Sequence, residues 1–144
     1  MTPKTFDEIF EEVGKATKKA DKIAILHKNS SPAMKAILGY AYDPNVKWLL
    51  PEGAPPFKPA ANGSDYETRL SYEIKKLYLF VDGPTDAQKN LKQRRREELF
   101  IQMLENIDPR DTKVLIGMKD RKLPYKGLTR ALVAEAFPKL ATNW

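Results

Sequence analysis

The sequence predicts an all-α domain, compact and non-bundle, with no sheet. Three observations carry that expectation. Apolar residues recur at helical spacing in seven segments along the 144 residues. Several segments start at residues that cap helices, such as Ser31, Thr85 and Asp108, and most stop at glycine or proline. Nowhere does a convincing period-two strand pattern run between turn signals.

Taken in order, Thr2-Pro3 or Thr5 opens the first helix, with Phe6, Ile9, Phe10 and Val13 on its inner face and Gly14 at its end. A second helix follows from about Thr17 to His27. Its Ala20, Ile23, Ala24 and Leu26 are apolar, and Lys15, Lys18, Lys19, Lys22 and Lys28 point mostly outward. Ser31 caps the third helix and Pro32 fits its first turn, where a missing N–H costs nothing. That helix runs to Tyr42, with Met34, Ile37, Leu38 and Ala41 as its stripe. Between residues 46 and 62, Pro51, Pro55, Pro56 and Pro59 exclude regular helix and central strand. The spacing predicts an extended loop anchored by Trp48, Leu50 and Phe57. Ser64 or Asp65 caps a fourth helix through Phe80, with Leu70, Ile74, Leu77 and Leu79 inward. Asp82-Gly83-Pro84 turns the chain, and Thr85 caps one long fifth helix from Asp86 to Asn106. Asp108 and Pro109 open the final pair. Val114, Leu115 and Met118 mark one buried face, and Leu128, Leu132, Val133 and Ala136 mark the other. Residues 1–144 read as one helical domain.

Composition narrows the function. The net charge is +6, which favours an anionic partner such as nucleic acid. There is no cysteine, so disulfides, thiolate nucleophiles and thiolate metal sites are excluded. No apolar run approaches the ~18 residues of a membrane span, and the acidic N-terminus lacks a signal-peptide core. The expected location is the cytoplasm, with no membrane partner. The lone His27 sits at a helix end and has no nucleophile placed beside it. There is no metal-ligand spacing, phosphate-cradling glycine loop or dinucleotide turn. The expectation is a non-enzyme with no cofactor and no metal. Tyr40, Tyr42, Trp48, Tyr72 and Tyr78 read as core or rim residues.

Two basic stretches stand out. Lys119, Arg121, Lys122 and Lys126, with one acid at Asp120, feed a helix start at Gly127, Thr129 and Arg130. Free N–H groups and the positive dipole end collect at such a start and suit phosphate. The bland alternative is a solvated turn between two core helices. The second stretch holds Lys89, Lys92, Arg94, Arg95 and Arg96 on a helix, with Glu97 and Glu98 to neutralise it. Such a run is usually a solvated helix face. From Pro84 to Arg130 there are 12 Lys and Arg against 7 Asp and Glu. Most of the net charge therefore lies in the C-terminal part.

The segments together resemble the N-terminal, all-helical DNA-binding domain of ATP-dependent DNA ligases of the bacteriophage type. Three stretches carry the resemblance. Phe6–Phe10 through Lys22–Asn29 looks like the opening helix, break and lysine-bearing second helix. Met34–Asp43 with Lys47–Pro51 resembles the next helix and its aromatic, proline-containing continuation. Lys113–Thr129 through Ala136-Phe137-Pro138 is similar to the closing helix, basic loop and helix. The resemblance implies a grip on duplex phosphates across the minor groove, in the cytoplasm of an infected host cell. The chain departs from the family at the nucleotidyltransferase motif Lys-x-Asp-Gly, because Phe80 precedes Val81-Asp82-Gly83 where the lysine would stand. Pro124 and Tyr125 also alter the loop before Gly127. The expectation is a stand-alone, non-enzymatic DNA-binding module accessory to phage replication or repair. Its sites are Lys119, Arg121, Lys122, Lys126, Gly127, Thr129, Arg130, Lys92, Arg94, Arg95 and Arg96. The alternative is an adaptor that binds a host or viral replication or transcription protein.

Overall fold

The computed structural model describes residues 4–60 and 69–144. Helix α1 spans Phe6–Lys15, α2 Lys19–Lys28 and α3 Pro32–Tyr42. After the proline-rich loop come α4, Arg69–Glu73, and a 3-10 stretch, Ile74–Phe80. Then follow α5, Asp86–Asn90, and α6, Gln93–Asn106. A 3-10 turn, Pro109–Asp111, leads into α7, Thr112–Lys119, and α8 closes at Arg130–Ala136. Among the described residues the only β pairing is an isolated antiparallel bridge between Trp48 and Val81. The domain is all-α, as the periodicity predicts.

The caps are those the sequence offers. Thr5 accepts from the Glu8 amide while Glu8 reaches back to the Thr5 amide, a reciprocal capping box. Ser31 caps α3 in front of Pro32, and Asp108 accepts from Arg110 N at 2.8 Å. The expected openings at Thr2-Pro3 and at Ser64 or Asp65 lie outside the described residues. One core joins the elements: Phe10, Leu26, Ile37, Leu38, Phe80, Phe100, Leu104 and Leu115 are all essentially buried. Each contributes roughly 1.5–3 kcal/mol by leaving water. Helix α1 packs on α2, α2 on α8, and α3 on α7. Leu26 is the one fully buried residue of α2, Ile23 and Ile25 pack partly buried against the core, and Ala20 and Ala24 are exposed.

Two expected elements differ. The fourth helix ends as a 3-10 stretch, and the fifth is two helices interrupted at Leu91 and Lys92, both extended. No proline or glycine causes that break. The Gln88 carbonyl, which a continuous helix would give to the Lys92 amide, accepts instead from Arg96 Nη2 at 2.9 Å. Arg96 Nε donates to Leu79 O at 3.0 Å and Nη1 to Gln93 Oε1 at 2.7 Å. The buried Gln88 amide donates to Tyr78 O at 2.9 Å. The break thus lets one guanidinium join α5, α6 and the 3-10 stretch.

The proline-rich loop is held at several points. Trp48 Nε1 donates to Tyr40 O at 3.1 Å, and Leu50 and Phe57 pack against the core. Gln93 Nε2 donates to Leu49 O at 2.7 Å, and Lys58 N to Glu105 at 2.8 Å. Lys119 Nζ donates to Pro51 O and Gly53 O, both at 2.8 Å, and also contacts Asp120. Truncating Lys119 to alanine leaves those carbonyls without their donor. The expected cost is about 1–3 kcal/mol in urea unfolding, with faster protease cleavage between Leu50 and Lys58. Lys122→Ala, in the exposed part of the next loop, should stay within about 0.5 kcal/mol.

Candidate nucleic-acid interface

The loop from Asp120 to Thr129 crosses α7 at close range. A Cβ on Gly117 would lie 2.9 Å from Lys122 O, so only glycine allows the loop to lie this low. Lys122 N donates back to Gly117 O at 2.8 Å. The residues that follow alternate: Leu123 and Tyr125 are buried, whereas Lys122, Pro124 and Lys126 are exposed. The alternation is strand-like in period and sends the lysines to one side. Tyr125 OH donates to Asp7 Oδ1 at 2.8 Å. Its pKa is pushed well above the ordinary tyrosine value by burial, and further by that hydrogen bond and charge. Tyr42 OH donates to Leu128 O at 2.9 Å, and burial raises its pKa to about 12. Gly127 then takes φ +77, a left-handed conformation that glycine adopts without strain.

The structure divides the predicted cations into two sets. Lys119 is not available to a ligand: it is 4% exposed and bound to loop carbonyls. Arg121 is also turned inward, with Nη1 donating to Tyr40 O at 2.9 Å and Nη2 to Asp43 O. It closes the C-terminal end of α3 and takes φ +62, an uncommon conformation for a side-chain-bearing residue. Burial lowers its pKa, Asp43 opposes that, and Arg130 adds to it. Arg96 is 6% exposed and fully engaged in the α5–α6 junction. Lys119 and Arg96 are buried and half-buried Arg121 is turned the same way, so these three predicted site residues give their hydrogen bonds to backbone oxygens of the fold.

Lys122, Lys126 and Arg130 are exposed. So are Lys92, Arg94 and Arg95, but Arg94 and Arg95 both reach Glu98, at 3.6 and 3.4 Å. Exposed pairs of this kind are weak and screened by salt. The helix-start site also changes. Thr129 Oγ1 accepts from Leu132 N at 3.2 Å, and α8 has only 7 residues. Thr129 thus occupies one amide of the helix start, beside the exposed cations of this corner.

Two more cations, Lys15 and Lys18, belong to the same corner. A Cβ on Gly14 would lie 3.1 Å from Lys126 O, so the α1–α2 turn abuts the loop. Lys22 Nζ donates to Ala16 O, and its Cε would lie 2.7 Å from a Cβ on Gly127. Lys15 and Lys18 flank that turn and are exposed. No periodicity links residue 15 to residue 126, so sequence spacing holds no sign of this meeting. His27 faces Ala136 O at 2.6 Å and meets Phe137 edge-on, a packing role at a helix end. Tyr40, Tyr42 and Trp48 are half-buried, as expected, whereas Tyr72 is 69% exposed. No three His, Asp or Glu side chains among the described residues converge on a metal position. No helix among them is long and apolar enough to cross a membrane.

Residues 9–125 match a family of unknown function, DUF6433. The chain belongs to that family. The matched part runs from α1 into the basic loop as far as Tyr125. No curated protein matches the chain.

Gly127→Ala should destabilise the protein by about 1–2 kcal/mol through the left-handed backbone alone. Gly127→Asn should cost less, because asparagine tolerates that region. Denaturant midpoints of the two variants measure the difference.

Proposed function

We propose that this protein is a non-enzymatic DNA-binding module that grips duplex phosphates at the corner where the loop before α8 meets the α1–α2 turn. One observation carries the reading. The alternation of the loop sends Lys122 and Lys126 outward, with Lys126 against the α1–α2 turn that exposed Lys15 and Lys18 flank and with exposed Arg130 four residues on, while the apolar residues between them anchor it. A cationic loop fixed in this way contacts phosphate without ordering a mobile segment first. Lysine and arginine on turns position a protein on the backbone and carry no base readout, so binding is weakly sequence-specific. The resemblance to the DNA ligase N-terminal domain supports the same reading. It suggests a role accessory to bacteriophage DNA replication or repair, with catalysis supplied by another chain. Lys92, Arg94 and Arg95 belong to the interface only as an outlying, partly neutralised strip.

A different observation favours the adaptor reading. A largely apolar cleft of about 270 Å³ lies between the proline-rich loop and α6, walled by Leu50, Pro55, Pro56, Phe100 and Ile101. An apolar segment of a replication or transcription protein suits such a cleft better than DNA does.

The combined change Lys122→Ala, Lys126→Ala and Arg130→Ala separates the two readings. Duplex affinity should fall on unrelated sequences alike. The slope of log K against log salt should become shallower by roughly 0.9 for each phosphate that the variant no longer neutralises. Arg94→Ala with Arg95→Ala should have the smaller effect. Unchanged affinity and slope in the triple variant would remove the phosphate reading in favour of the adaptor.

A further inference from the structure

A notch of about 330 Å³ opens between α8 and the turns that follow it, lined by Arg130, Ala131, Ala134, Ala141 and Trp144. Arg130, Ala131 and Ala134 stand about one turn apart on one face of α8, while Leu132, Val133 and Ala136 enter the core. The three alanines carry no side chain beyond Cβ, so the notch stays open. Trp144 completes the lining and is fastened in place. Its backbone N donates to Ala141 O at 3.1 Å. The carbonyl of neighbouring Asn143 accepts from Asn45 Nδ2 at 2.9 Å, and the Trp144 side chain packs partly buried against the core.

The notch joins an aromatic ring to a cation, and neither is engaged elsewhere. Among the described residues the Trp144 indole N–H has no acceptor and the Arg130 guanidinium has no carboxylate or carbonyl to hold. A paired base shows only its edge in a groove, so an intact duplex has nothing that enters such a concavity. An unpaired base has a free face. Bases of every kind stack on aromatic side chains, and arginine adds attraction of its own while also pairing with phosphate. An aliphatic side chain from a protein partner would fill the alanine floor but leave the guanidinium unserved. Arg130 is also a cation of the proposed phosphate corner, so a base in the notch continues that surface.

We propose that this notch takes one unpaired nucleobase, stacked on Trp144 with its phosphate against Arg130. The protein then prefers a duplex that ends in a single-stranded extension to a blunt one. The inference rests on the reading of the corner as a nucleic-acid site and adds the DNA structure that the site selects. The corner lysines hold the duplex through its phosphates, which every duplex has. The notch supplies what they lack, a contact that only an unpaired end can make. Because stacking uses the face of the base, the preference is for the structure of the end and not for its sequence.

The test uses the full ¹⁵N-labelled chain with a blunt duplex, the same duplex carrying a single-stranded thymidine tail, and the tail alone. The chain has two tryptophans, so its NMR spectrum holds one indole signal for each, and Trp144→Phe assigns them by the loss of one. The tailed duplex should bind about tenfold more tightly than the blunt one. It should shift the Trp144 indole signal and leave that of Trp48 in place. In Ala134→Leu, whose longer side chain fills the notch, the preference for the tail should disappear. Equal affinity of the parent for both duplexes, an undiminished preference in folded Ala134→Leu, or a Trp144 signal that the tailed duplex leaves unmoved would overturn the inference. The unmoved signal would leave the notch to a protein side chain. In each of these cases binding of the blunt duplex still upholds the phosphate reading. If the blunt duplex does not bind, the phosphate reading fails and the tail alone decides the notch: a shifted Trp144 signal supports it, and an unmoved one refutes it. If Ala134→Leu does not fold, the affinities and indole signals of the parent decide.

Discussion

A cation taken out of water needs oxygen atoms in place of its hydration shell, and three basic side chains here obtain them from main-chain carbonyls. Arg96 draws on Leu79 and Gln88, Lys119 on Pro51 and Gly53, and Arg121 on Tyr40 and Asp43. Most of these acceptors lie in irregular chain or at a helix end, where carbonyls have no partner in a ladder. The arrangement satisfies both sides at once. It also explains how an all-α chain with a proline-rich stretch keeps that stretch on its surface. The loop is fastened through its backbone, so its own side chains need bury little beyond Trp48, Leu50 and Phe57.

The same constraint sets what the surface offers. Each cation that closes a junction is withdrawn from any ligand, so the basic residues in the sequence overstate the accessible charge. What remains is ordered by the packing of the loop on α7. Gly117 allows the close crossing, Leu123 and Tyr125 enter the core, and Lys122 and Lys126 are left on the outer side. In the proposed DNA-binding reading, the apolar anchors of the loop make its cations rigid, and the α1–α2 turn brings Lys15 and Lys18 alongside. Fold and proposed function meet in these few residues.

Much of this was legible in the sequence. The caps at Thr5, Ser31, Thr85 and Asp108 are local chemistry, and the apolar stripes place the core. Part of the division among the cations was legible too. Arg96 stands four residues before Phe100, on the stripe that continues through Met103 and Leu104, and Lys119 stands four after Leu115. Position on an apolar stripe marks a cation that the fold uses. The alternation of buried Leu123 and Tyr125 with exposed lysines was equally visible, but it is too short to register as a strand. Other features depend on tertiary partners. The break at Leu91 follows from a guanidinium competing for the Gln88 carbonyl, and the left-handed Arg121 follows from the position of α3. The meeting of Gly14 with Lys126 joins residues more than a hundred positions apart.

Some basic residues hold the fold, and in the proposed reading others face solvent for phosphate. Lysine acetylation at neutral pH, read by mass spectrometry with and without duplex DNA, tests it most directly. In the free protein Lys15, Lys18, Lys122 and Lys126 should react readily while Lys119 resists. Duplex should then protect the first four and leave Lys119 unchanged. Lys119 reacting as fast as Lys122 in the free protein would contradict the division. Uniform reactivity of the four corner lysines with and without saturating duplex would contradict the interface.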